Sequence, residues 1–272
     1  GGRAVSAVAD FAVANAQSTN DSLTALTTGD IAVETSGVSN SSVTLSGNSV
    51  KSLAQANSAS NDLNLKAGQQ NGITGAVASS QNSSGAVSAQ TVSVTGALQV
   101  ATGTLTNAAV VMSDNTVSAL AGQNEAFNSL TVSGSALTGR LANVSASIAG
   151  TASVVGADFA VMNEQTATGS VTASVNTGLS GISASGMASG NTLALSGNTV
   201  LASANANTAA NTLSLSATNT LEASGVVNNV QTLSAGADVT ATVFASSLAA
   251  DTGASTTNAK LAVTDNQVKA SA

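Results

Sequence analysis

The 272-residue chain has no proline, cysteine, histidine, tryptophan or tyrosine, and only four phenylalanines. Each absence excludes something. Without His or Cys, the commonest general bases, the thiol nucleophiles and most zinc ligands are gone. With no Cys there is no disulfide framework. With no Pro, every backbone N–H is free to enter a hydrogen-bonded ladder, because each Pro would remove one donor. Charge is scarce as well: 7% of residues are charged, against about 25% in a typical domain. The six Lys and Arg against 13 Asp and Glu give a net charge of −7. That balance carries no basic stripe and excludes a nucleic-acid partner. No apolar run approaches the roughly 20 residues of a membrane span, so none is expected. No basic-then-apolar leader opens the chain, and Gly1-Gly2-Arg3 reads as a mature or excised N-terminus.

What remains is a small-residue alphabet of Ala, Val, Ser, Thr, Asn and Gly. Hydrophobic residues make up 43% and mean hydropathy is +0.27, whereas disordered segments usually combine low hydrophobicity with high net charge. Small side chains suit a fold whose opposing backbones lie close together. In Leu45–Ala67, Val50, Ser52, Ala54 and Ala56 alternate, and Leu63, Leu65 and Ala67 resume after what reads as a second turn. Such alternation indicates strands with one packed face. The helical alternative for Ala204–Ala210 lacks Glu/Lys pairs and has Asn or Thr on nearly every turn.

The chain repeats itself. Asp10-Phe11-Ala12-Val13 returns 148 residues later as Asp158-Phe159-Ala160-Val161, and Ser46-Gly47-Asn48 returns 150 later as Ser196-Gly197-Asn198. Ser113-Asp114-Asn115 returns 151 later as Thr264-Asp265-Asn266. Copy one is therefore residues 1–150 and an incomplete copy two is 151–272, within one continuous domain. Inside this period, segment 46–65 aligns with 113–132 at an offset of 67, and Asn115 to Asn198 is 83. Read as multiples of a shorter unit, these intervals give a strand–turn–strand–turn coil of about 21–22 residues. The expected fold is all-β, a β-solenoid of about 12 or 13 such coils forming a rod on the order of 60 Å long. Asn48, Asn57 and Asn61, with their copies Asn198, Asn207 and Asn211, are expected at turns and in stacked amide ladders. Phe11 and Phe159 are expected to fill the core.

No enzyme emerges. Ser is too common to single out, and nothing places Lys51, Lys66, Lys260 or Lys269 beside a nucleophile. Asp10, Asp158 and Asp238 read as turn acids on the solvated side. The acids form no calcium-binding Gly-Gly-x-Gly-x-Asp repeat, and no phosphate loop occurs. The Thr-x-Thr pairs at 104, 166 and 240 do not recur at the coil period, which speaks against a flat ice-binding array. No catalytic, cofactor-binding or metal site is assigned, and no cofactor is expected.

The positive signal is at the ends. Ala272 corresponds to residue 122 of copy one, in mid-phrase, and an uncapped stack of strands exposes edges that attract another chain. The Ser-Gly-Asn-Ser-Val and Ala-Asn-Ser-Ala-Ser-Asn phrases resemble those of secreted bacterial curli-like fibre proteins and of holdfast-anchoring surface proteins of stalked bacteria. That resemblance implies export to the bacterial cell surface and assembly into adhesive or biofilm-matrix fibres. The expected partner is the chain itself, head to tail or in a longer array, with cell-surface or matrix components as further candidates. The alternative is an adhesin passenger domain whose lateral face binds a carbohydrate or surface ligand.

Overall fold

The computed structural model describes residues 5–93, 98–140, 144–148, 151–177, 180–187, 190–244, 248–253 and 258–272; Gly1–Arg3 lie outside them. The described residues form 24 strands and no helix. They fall into four successive passes through the same set of sheets. The first pass holds β1 (Val5–Val8), β2 (Phe11–Thr19), β3 (Leu23–Thr28), β4 (Ile31–Ser39), β5 (Ser42–Ser46), β6 (Ser49–Lys66) and β7 (Gln69–Asn71). The second holds β8 (Gly75–Ser83), β9 (Val87–Val92), β10 (Leu98–Thr106), β11 (Ala109–Ser113), β12 (Thr116–Thr138), β13 (Val144–Ile148) and β14 (Thr151–Val155). The third holds β15 (Phe159–Ala167), β16 (Val171–Asn176), β17 (Ser180–Met187), β18 (Thr192–Ser196) and β19 (Thr199–Glu222). The fourth holds β20 (Gly225–Leu233), β21 (Val239–Phe244), β22 (Leu248–Asp251), β23 (Lys260–Thr264) and β24 (Gln267–Ser271).

Five sheets take strands from every pass, and all their pairings are parallel: β2-β8-β15-β20, β3-β9-β16-β21, β4-β10-β17-β22, β5-β11-β18-β23 and β6-β12-β19-β24, the last with β7 beside β6 on β12. Stacked partners lie far apart in sequence. Phe11 pairs with Gly75, Gly75 with Phe159 and Phe159 with Gly225, offsets of 64, 84 and 66. In the long sheet Ser49 pairs with Thr116, Thr116 with Thr199 and Thr199 with Gln267, offsets of 67, 83 and 68. The pass therefore takes 64–84 residues, and the expected 21–22-residue coil is corrected. The intervals of 67 and 83 are themselves single passes, and the 150-residue repeat is two. Four levels at about 4.8 Å per strand give a height near 14 Å rather than 60 Å.

Each pass runs out and back in two layers. Across the layers Ser52 Oγ donates to the Ala25 carbonyl at 2.8 Å and Thr27 Oγ1 to the Lys51 carbonyl at 3.1 Å. One pass up, Thr91 Oγ1 repeats the contact on the Ser118 carbonyl at 2.8 Å. Val87, Leu98, Val110, Val117, Val171 and Leu193 fill the space between. The reversals need left-handed backbone. At the turn before the long strand the four levels use Gly47, Asp114, Gly197 and Asp265, all at positive φ. Asn57, Asn61, Asn207 and Asn211 were expected at turns but lie inside β6 and β19, because that stretch is one continuous strand in each pass. What looked like a turn is a change of buried face between Ala54 and Asn57.

The second pass is longer because it carries a hairpin, β13–β14, which joins β1 in a separate antiparallel sheet. Two hairpin strands occupy the height of two stacked levels, so one hairpin serves two passes. Val144, Val5 and Ala7 pack on Ala76, Ala78, Ala160 and Met162. The opposite face of that same sheet packs Val77, Phe159 and Val161 on Leu130, Val132 and Leu137. Covered on both faces, β15 is buried almost throughout, which accounts for its unbroken Phe-Ala-Val-Met run.

Phe159 shows why the repeat needs two passes. Its ring lies over Gly75, where an added Cβ would sit 3.0 Å from the Phe159 Cδ1. The stack reads Phe11, Gly75, Phe159, Gly225, so each ring has a glycine beside it. Phe159 is fully buried, whereas the equivalent Phe11, on the terminal described strand of its sheet, is 45% exposed. Phe159→Ala is expected to cost about 3–5 kcal/mol, and Phe11→Ala markedly less. Urea unfolding of both variants checks this, and equal losses would contradict the stacking order.

Candidate association interface

The chemistry of this chain is carried by side-chain amides. At the turn entering the long strand, Asn48 Nδ2 donates to Asn115 Oδ1 at 3.0 Å, Asn115 Nδ2 to Asn198 Oδ1 at 2.9 Å, and Asn198 Nδ2 to Asn266 Oδ1 at 2.9 Å. Each upper amide also donates back to a carbonyl one pass below, as Asn115 Nδ2 does to Leu45 O at 2.9 Å. Within the long sheet, Asn57 donates to Asn124 and Asn124 to Asn207, both at 2.8 Å. Asn61 donates to Asn128 and Asn128 to Asn211, both at 2.7 Å. The amide ladders expected for these Asn residues are therefore present, between partners 67 and 83 residues apart.

A fourth ladder runs the other way. Gln81 Nε2 donates to Gln17 Oε1 at 2.7 Å, Gln165 to Gln81 at 2.8 Å and Gln231 to Gln165 at 2.7 Å. Asn15-Ala16-Gln17, Asn163-Glu164-Gln165 and Asn229-Val230-Gln231 share an Asn-x-Gln phrase, a signal that only Gln81, in Ser79-Ser80-Gln81, lacks. Gln123 is also fully buried, donating to the carbonyls of Gly85 and Gly169 at 3.0 and 2.9 Å.

The acids are distributed, not assembled. Asp10 Oδ2 accepts from Thr74 N at 2.9 Å and Thr74 Oγ1 at 3.1 Å. Asp158 Oδ2 repeats this with Ser224, at 3.0 and 2.8 Å. These carboxylates tie one pass to the next at the entry to its first sheet. Asp158 is fully buried, so the expected solvated turn acid is corrected there. Arg140 NH2 lies 3.5 Å from Asp10 Oδ2. Asp238 is exposed above the third pass, its backbone N–H donating to Ser170 Oγ at 3.2 Å. Among the described residues no three acids gather as a metal cluster. Lys51, Lys66, Lys260 and Lys269 are all exposed. A groove along Lys66, Gly68, Ser133, Ser135 and Thr218 contains one cation and no carboxylate. Among the described residues no helix is long and apolar enough to cross a membrane.

The remaining unusual surface is the two edges of the stack. Thirteen large apolar side chains of the described residues are exposed, and among them only Phe127 stands at a position paired on both sides, with Ser60 and Ala210. Phe11, Leu26 and Leu53 lie on the lower edge; Val227, Val230, Leu233, Phe244, Leu261, Val263 and Val268 lie on the upper one. The edges differ in polarity. At the bottom the two Asn ladders inside the long sheet are closed within the pass, Thr19 Oγ1 donating to Asn57 Oδ1 at 2.7 Å and Asn15 Nδ2 to Asn61 Oδ1 at 2.9 Å. At the top they end on amide donors.

No family model matches the chain, and neither the curated proteins nor the solved structures give a match.

Asn124 accepts from Asn57 and donates to Asn207 and to the Thr166 carbonyl at 2.9 Å. Asn124→Ala orphans these groups at about 1–3 kcal/mol each. Asn205→Ala, on the exposed side of the same sheet, is expected to cost under about 0.5 kcal/mol. Urea midpoints of the two variants compare them; similar values would mean that the ladders do not hold the passes together.

Proposed function

We propose that this chain is a β-solenoid subunit of an extracellular fibre or surface appendage, stacking end to end through its open strand edges. It is a structural protein of adhesion or matrix, not an enzyme. The observation that carries this reading is the pair of open parallel edges, which hold nearly all of the exposed large apolar side chains among the described residues. Unpaired strand edges recruit further strands unless they are blocked, and no Pro blocks them here.

Chemical polarity supports one direction of growth. Upper-edge amide donors face lower-edge acceptors such as Asn48 Oδ1, and Phe11 of an incoming copy meets Gly225, continuing the Phe–Gly alternation. A head-to-tail contact of this kind is heterologous, and repeats without closing when no rotation closes it. Extracellular placement rests on the resemblance to curli-like and holdfast-anchoring proteins. A second reading, an adhesin passenger binding a glycan laterally, is favoured by one observation: Phe127 is 48% exposed on the lateral face beside Asp62, Ser129 and Thr212.

Negative-stain images over a concentration and time series should show rods that lengthen; a stable monomer without filaments would overturn the proposal. The Val171 N–H donates upward to the Asp238 carbonyl, so period-two alternation puts the Ala241 N–H on the open edge. Ala241→Pro removes an edge donor and no ladder bond. It is expected to keep the strand content of the parent while abolishing elongation.

A further inference from the structure

The outer face of the long sheet carries an aromatic ring that serves neither the core nor a strand edge. Phe127 is 48% exposed although Ser60 and Ala210 pair with it on both sides, so its exposure is lateral. Alternation along β12 puts Glu125 and Ser129 on the same face, with Ala126 and Asn128 buried beneath. Ser60 and Ala210 are too small to cover the ring. A groove of about 350 Å³ opens beside it, lined by Ser60, Asp62, Phe127, Ser129 and Thr212.

The charges around that groove have one sign. Asp62 lines one end. Glu125 stands toward the other, about 7 Å from Phe127 along β12, and Ser58 Oγ donates to its Oε2 at 3.3 Å. That bond holds the Glu125 carboxylate toward β6, the strand that carries Asp62. Ser58, Ser60 and Asp62 are alternate residues of β6. The floor of the groove therefore runs acid, serine, acid over about 13 Å, with the phenyl ring as its wall. Among the described residues neither carboxylate is in an ion pair. Lys66 stands four residues beyond Asp62, paired with Ser133.

We infer that this groove is a binding site for a linear polyamine of the spermidine type. The terminal ammonium groups meet Glu125 and Asp62, and the inner ammonium with its methylenes lies against the Phe127 ring. A cation within about 6 Å of a ring centroid is attracted by the ring quadrupole. Two carboxylates without a counter-ion supply the matching charge, and Ser60 and Ser129 offer hydroxyl acceptors for further N–H groups. A neutral glycan would leave both carboxylates uncompensated, and an anionic one would be repelled. The order acid, ring, acid is what selects a ligand with cations at both ends and a third between them. The site belongs to the lateral face alone and is independent of end-to-end stacking.

The test is equilibrium dialysis of the whole chain against labelled spermidine at low ionic strength, with occupancy counted per chain whether or not the chains stack. One site per chain is expected, with a Kd on the order of a millimolar or below, weakening several-fold at about 0.15 M salt. F127A, and the pair E125Q with D62N, are each expected to weaken binding about fivefold or more. These side chains lie outside the core, so circular dichroism should show the strand content of the parent. The pair E34Q with D251N removes the same charge from another sheet and is expected to change binding less than about twofold. Equal weakening by that pair would mean diffuse attraction to a chain of net charge −7, and overturns the inference. So does n-butylamine binding as tightly as spermidine. Competition by maltoheptaose also overturns it, in favour of the lateral glycan. Filaments that bind no spermidine would sink this inference and leave the stacking proposal standing.

Discussion

Nearly everything in this molecule follows from parallel, in-register stacking, which places each side chain about 4.8 Å from its counterpart one pass away. A side chain must therefore tolerate its neighbours in the stack as well as its own strand. Carboxamides satisfy this best, since each is both donor and acceptor, and Asn on Asn or Gln on Gln forms an unbroken chain of bonds. Charges satisfy it worst, because like charges facing each other are destabilising. In none of the described pairings does a charged residue sit on another: Lys51 lies on Ser118, Glu125 between Ser58 and Thr208, Glu164 between Ser80 and Val230. The low charge content is a condition of the architecture.

Not every position can repeat at each level, and this sets the two-pass period. Phe159 needs the space that Gly75 leaves. Asp10 and Asp158 cap Thr74 and Ser224, one level up from each. At the turn before the long strand, Asp114 sits next to Gly197, where an added Cβ would meet its Oδ1 at 2.4 Å. Large and small, acid and hydroxyl, Asp and Gly alternate, and the β13–β14 hairpin spends its two strands on the same two levels. A single pass is too short a unit to encode these alternations.

Regularity inside the stack leaves a problem at its boundaries. The buried levels satisfy their amides, carbonyls and apolar side chains with the level above and below, so the terminal levels inherit the deficit as open N–H groups, half-buried leucines and exposed valines. The lower edge is relieved by Thr19 and Asn15, which close the Asn ladders internally. The upper edge has no such closing contact on its Asn ladders among the described residues. This gradient from closed to open gives the molecule a direction.

The all-β, parallel-stacked, repetitive class was legible in composition, in the alternation from Val50 to Leu65 and in the 148–151-residue offsets. Stacking in registers of 67 and 83 was also legible, yet those intervals looked like multiples of a short coil because Asn57 and Asn61 interrupt the alternation as a turn would. Only the tertiary structure shows that β6 continues through them, facing a second layer that accepts their amides. The Gln ladder was legible only in part: Gln17, Gln165 and Gln231 share an Asn-x-Gln phrase, Gln81 does not, and only the register makes the four neighbours. Sequence by itself determined which residues can stand on copies of themselves, since that depends on side-chain size, charge and hydrogen-bonding capacity alone. Which copies meet, how long a pass is and which edge stays open were decided by tertiary pairing, because a stack joins residues through space that the chain separates by 64 to 84 positions.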